Sequence, residues 1–236
     1  MTLALVSSTL RIEIPGTWPG GVPPSEEIRS LVQRSAPAQV QIEPPSETLT
    51  QTFHHAAPFV DLSEAQLEAV GRHSARLTVT RTVGPRQVEP ARQLLQATRV
   101  LPRGSLGVHV ATVGKVHGLG QWTSWWAASV GDLLEAYVLF GWAPRPAPQF
   151  RTWGMQAFGL PDVVCEFEGT PNLFRSVAEA FVWERLIAPD SAVSDTFILG
   201  KGVCPPLAVL WRPMAQQPFG AWRLVDVHRG STQPSR

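Results

Sequence analysis

The run Trp153-Gly-Met-Gln-Ala-Phe-Gly-Leu-Pro-Asp-Val-Val-Cys-Glu-Phe-Glu168 constrains the fold more than any other part of the chain. Two spaced glycines and a Leu-Pro-Asp turn cannot continue a helix, because proline lacks the amide donor and glycine loses the most backbone entropy. The residues after the turn alternate apolar with acidic, as a half-buried strand does. The segment therefore predicts a strand pair, Phe150 to Phe158 and Val163 to Phe167, at the centre of a mixed domain. It carries no catalytic signature.

Around it the pattern switches between periods of two and 3.6 residues. Leu10 to Ile14, Val40 to Glu43 and Arg76 to Val83 alternate like strands, with Leu77, Val79 and Val83 facing inward. Thr50 to Phe59 is expected to be extended, anchored by Phe53 and Phe59. Leu106 to Val113 and Leu133 to Trp142 are read as further strands, the latter closed by Pro144, Pro146 and Pro148. Thr196 to Leu199, Leu207 to Trp211 and Ala221 to Val227 complete the set. Helices are expected after Ser25, after the Ser63/Gln66 capping box with its Leu62/Leu67 staple, over Gln87 to Leu101, over Gln121 to Val130, and after Asn172. Strands outnumber helices and several follow one another without a crossover. The expected class is α+β, a mixed, largely antiparallel sheet with helices packed on one face. Residues 1–60 read as an extension fused to the main sheet, 61–228 as the main domain, and 229–236 as a frayed polar tail.

Bulk properties exclude several functions. With 44% hydrophobic residues, 17% charged residues and a net charge of +1, the chain has a core and no electrostatic footprint for nucleic acid or an anionic membrane. Cys165 and Cys204 lack metal or disulfide spacing. No apolar run is long enough for a membrane-spanning helix, and the first ten residues have no basic region ahead of their apolar ones. A cytoplasmic protein without cofactor or metal is expected.

Phosphate-cradling and hydrolase-elbow motifs are absent; Gly200-Lys201 and Gly104-Ser105-Leu106-Gly107 both have the wrong spacing. His54 and His55 are adjacent and would point apart on a strand. A strand-to-loop bend could bring His109 and His117 together with Asp132 or Glu135, although metal-ligand spacing is missing. Asp162, Glu166 and Glu168 fall opposite Val163, Cys165 and Phe167. They can serve as an acid–base pair or decorate a solvated strand face. Trp122, Trp125 and Trp126 could form one broad indole face on a helix, or pack in the core.

The stretch His73 to Pro213 resembles a bacterial domain-of-unknown-function family (number 4261 in that series). The likeness rests on His73-Ser-Ala-Arg-Leu-Thr-Val-Thr80, on Trp153 to Asp162 with Glu166, and on Ser194-Asp195-Thr196. Arg76 stands where that family tends to have a second histidine, and a glycine is missing before Asp195. The resemblance implies a bacterial α+β domain, no assigned activity, and small standalone members suited to immunity or accessory roles near secreted toxins. The resulting expectation is a non-catalytic module that binds a protein partner, a toxin being the candidate, through Trp122, Trp125, Trp126, Asp162 and Glu166. One alternative is a hydrolase-like enzyme using Asp162, Glu166 and His109; another is a structural accessory subunit of a secretion assembly.

Overall fold

The computed structural model describes residues 7–143, 149–200, 204–214 and 217–227; the tail from residue 229 and the prolines at 144–148 lie outside them. The α+β class holds, with the strands divided between two sheets in two compact units. One unit comprises Thr9–Val83 and Glu89–Tyr137; the other comprises Met1–Ser8, Gly84–Val88 and Val138–Arg236.

The first unit contains β1 (Ser8–Gly16, its first residue counted with the other unit), β2 (Gln39–Glu43), β3 (Ala75–Val83), β4 (Val108–Val110) and β5 (Lys115–His117). Their order is β2-β3-β1-β4-β5, with strands from before and after residue 60 in one sheet. Register sets the faces. Ile12 lies opposite Val110 and Glu13 opposite His109, so Leu10, Ile12, Ile14, Val108 and Val110 share one buried face while Glu13 and His109 share the other. Helix α1 (Ser25–Ser35) lies beside α4 (Glu89–Thr98), and α4 packs on β3 with its stripe Ala91, Leu94, Leu95 and Thr98 buried. Pro24, not Ser25, is the residue before α1, and no side chain caps it.

Residues expected to be extended at Thr50 to Phe59 are instead helix α2 (Glu47–Ala56). Ser46 accepts a hydrogen bond from the Leu49 amide, and Leu49 and Phe53, one turn apart, enter a cluster with Val70 and Val116. Burial of that stripe overrides the β preference of the threonines. Phe59 is 88% exposed and anchors nothing. Helix α3 (Glu64–Gly71) starts at the expected capping box, with Leu62 and Leu67 packed on the same cluster.

A second correction falls at Leu133 to Tyr137, which belongs to helix α6 (Val130–Tyr137). Ser129 and Asp132 cap it reciprocally, each backbone amide donating to the other's side chain. Only Leu139–Ala143 remains as strand β6.

The other unit adds β7 (Gln149–Trp153), β8 (Asp162–Glu166), β9 (Thr196–Phe197), β10 (Leu207–Met214) and β11 (Gln217–Asp226), in the order β6-β7-β8-β11-β10-β9. The β8–β11 pair is parallel and the other pairings of this sheet are antiparallel. The expected pair around the Leu-Pro-Asp turn forms, but its first strand stops at Trp153. A 3-10 turn at Met155–Phe158 follows, flanked by Gly154 and Gly159 with φ of 111° and 65°. A side chain at Gly159 would bring a Cβ within 1.9 Å of the Gly84 carbonyl oxygen, so only glycine fits. Helix α7 (Pro171–Ile187) crosses β6, β7 and β8. Its cap is Thr170, which accepts from the Leu173 amide, with Pro171 in the first turn and Asn172 already inside the helix. Among the described residues no helix is long and apolar enough to cross a membrane.

Candidate functional site

The three clustered tryptophans do not share a surface. Helix α5 (Leu119–Ser124) ends before Trp125, so the 3.6-residue stripe never extends through Trp126. Trp122 is fully buried and its indole N–H donates to the Thr98 carbonyl at 3.2 Å. Trp125 is buried too; Trp126 alone faces solvent, at 70% exposure. The two buried indoles flank His117, with ring centroids 5.4 and 5.0 Å away. Burial there, with the Lys115 charge adding to it, pushes the His117 pKa down to about 4. Nε2 lies 3.0 Å from the Ala136 carbonyl and Nδ1 3.3 Å from the Gln121 side chain. His117 is a neutral core residue.

The expected convergence of His109 with His117 fails for a geometric reason. Across β4 and β5, His117 pairs with Val108 and His109 with Val116, which puts the two imidazoles on opposite sheet faces. Asp132 is committed to the α6 cap, and Glu135 is exposed. His54 and His55 sit exposed on α2 rather than on a strand. Among the described residues no group of three His, Cys, Asp or Glu could hold a metal ion.

The acidic strand face is not a solvated docking surface. Asp162 is 3% exposed. Its Oδ1 accepts from the Thr152 hydroxyl at 3.2 Å and the Met155 amide at 3.1 Å, with Arg151 Nη2 at 3.8 Å from Oδ2. These bonds tie the 3-10 turn to β8, a structural task. Glu166 takes a charge-assisted bond from Arg223 Nε at 2.9 Å and a second from its Nη2, and the bond to Glu166 raises the arginine's pKa. Gln149 also donates to Glu166. On the opposite side of β8, Cys165 is buried against α7, and burial, with the Glu166 charge, pushes its pKa up to about 12. That thiol is no nucleophile.

His109 does have a carboxylate partner, and it is Glu13, on the polar side of the alternating stretch Leu10 to Ile14. Nδ1 lies 2.9 Å from Glu13 Oε2. Both side chains are buried. On the same face Arg11 Nη2 meets Glu13 at 2.7 Å and Glu43 at 3.2 Å. Arg76 lies 3.5 Å from Glu13 and 2.8 Å from Glu43, and the Thr78 hydroxyl donates to Glu43 at 2.8 Å. The hydrogen bond to His109 is the largest influence holding the Glu13 carboxyl below its ordinary range; burial opposes it, and the Arg11 and Arg76 guanidinium groups reinforce it. Two carboxylates balanced by two guanidinium groups make a self-compensated network in which Glu13 orients the imidazole, as in a general-base pair. No serine hydroxyl or cysteine thiol bonds to His109 among the described residues. Finding Glu13 required the β1–β4 register, since 96 residues separate it from His109.

No protein-family model matches the chain, and neither a curated protein nor a solved structure does.

Proposed function

We propose that the protein acts without catalysis by binding another protein, in an immunity or accessory role beside a secreted bacterial toxin. The toxin setting rests on the family resemblance alone. The observation that carries the binding role is on α7, where Trp183 and Ile187, one helical turn apart, are 45% and 62% exposed. Their helix already buries Phe174, Val177, Phe181 and Leu186 on its inner side. A large apolar ridge left in water is costly unless something covers it, and tryptophan is the residue that anchors interfaces most often. This ridge replaces Trp122, Trp125 and Asp162 as the proposed docking surface; Trp126 is a separate exposed anchor on the first unit.

Co-expression with the products of the neighbouring genes tests the role. A stoichiometric complex is expected, weakened about tenfold or more by Trp183→Ser or Ile187→Ser with the melting temperature unchanged. No complex with any neighbour, or one indifferent to both substitutions, would count against it.

The hydrolase alternative keeps one observation in its favour, the Glu13–His109 pair, which moves its centre away from Asp162 and Glu166. Turnover of simple ester or phosphoester substrates, abolished by His109→Asn, would establish that reading instead.

A further inference from the structure

Arg185 closes the last turn of α7 and is only 3% exposed. A guanidinium carries five N–H donors and cannot shed its charge. Here Nη2 pairs with the adjacent, half-exposed Glu184 carboxylate, and Nη1 reaches the Ser191 carbonyl at 3.5 Å. Nε is buried with no acceptor among the described residues. The Phe181 ring, 5.8 Å from the guanidinium carbon, and the carbonyl end of α7 ease the charge without accepting the remaining in-plane donors. A buried cation with unmet donors is destabilising unless an anion completes it.

Space for such an anion exists. Arg185 lines a cavity of about 220 Å³ together with Glu184, Ser194, Thr196 and the apolar side chains of Phe181, Phe197 and Val209. Ser194 Oγ already accepts from the Thr196 amide, so its hydroxyl proton can be directed to a ligand. We propose that this cavity binds a carboxylate carried on a compact apolar body.

The chemistry selects that ligand. A planar carboxylate matches the guanidinium fork, whereas phosphate would bring a second negative charge beside Glu184, where the described residues lining the cavity include no further cation. The volume lies below the roughly 300–1,000 Å³ of drug-sized sites, which limits the body to about the size of a single ring. Phe181, Phe197 and Val209 supply its apolar contacts. Glu184, tethered at the rim, occupies one donor and competes with the ligand. The inference does not depend on the docking role proposed above, because the carboxylate can come from a free organic acid or from a peptide C-terminus.

Calorimetric titration and thermal shift with benzoate, benzamide and inorganic phosphate test it. Benzoate is expected to bind saturably and raise the melting temperature, with benzamide and phosphate weaker by about tenfold or more. Arg185→Met should abolish the benzoate response; its partner Glu184 is half-exposed and regains water, so no uncompensated buried charge is left and the fold is expected to survive the exchange. Glu184→Gln lies on the rim and removes the competing anion, so it should tighten benzoate binding, about threefold or more. A short apolar peptide with a free C-terminus binding better than both benzoate and its amidated form assigns the source to a protein terminus; benzoate binding better assigns it to a free acid. No saturable response to any carboxylate in either wild type or Glu184→Gln overturns the proposal. Equal binding of benzamide, or preference for phosphate, overturns it as well.

Discussion

Between its two indoles, His117 refuses a proton that the unfolded chain accepts. Its folded pKa of about 4 lies below the ordinary 6.5. Stability due to the neutral imidazole is therefore complete above pH 6.5 and is lost as pH falls from there toward 4. The full difference is on the order of 3 kcal/mol. Denaturant melts between pH 7 and 4 should show this loss, and His117→Gln should flatten it; an unchanged slope in that variant would assign the loss elsewhere. Glu13 acts in a lower window. With its carboxyl depressed below 4.5, its contribution is present above pH 4.5 and disappears as pH drops through the folded value. Glu13→Gln should remove that acid sensitivity. At neutral pH it should cost about 1–3 kcal/mol, because Arg11 and His109 lose their anion. At this scale the sequence misled in a consistent way. Period two placed Asp162 and Glu166 on one strand face, and they are there. It could not show that Thr152, Met155 and Arg223 use them up.

Elements were most legible where a signal is local. The Ser63/Gln66 box lies within four residues and starts α3 as expected. Ser63→Ala should cost about 1 kcal/mol in chemical denaturation. Ser129→Ala should cost about as much; its box at the head of α6 is equally local, but the apolar run Leu133 to Trp142 that follows it has the composition of a strand. The reading of Thr50 to Phe59 failed because threonine and phenylalanine favour strands intrinsically, whereas Leu49 and Phe53 gain more by meeting Val70 and Val116. Backbone approach is the least legible of all. Gly159→Ala combines positive φ with a Cβ inside a neighbouring carbonyl, so a loss of about 2 kcal/mol or more is expected, and a melt within 1 kcal/mol of wild type would mean that this turn relaxes.

At the scale of the whole molecule, charge balance makes a prediction. Twenty basic residues against 19 acidic ones, with Arg11, Arg76 and Arg223 paired to carboxylates on the sheets, predict little attraction for a polyanion. The protein should pass through heparin at about 0.15 M salt, and retention beyond that point would reveal a basic surface. What the chain by itself determined is its class: alternation and helical spacing recur along it in an order that only an α+β arrangement accommodates, because each pattern must bury its own apolar side. Its charge balance and the local caps belong to the same list. The tertiary structure alone decided that the strands divide between two sheets, that β8 pairs in parallel with β11 more than fifty residues later, and that Glu13 rather than Glu166 meets a histidine. Those outcomes depend on register and on which stripe wins burial, energies that arise only between distant segments and so leave no trace in any local window.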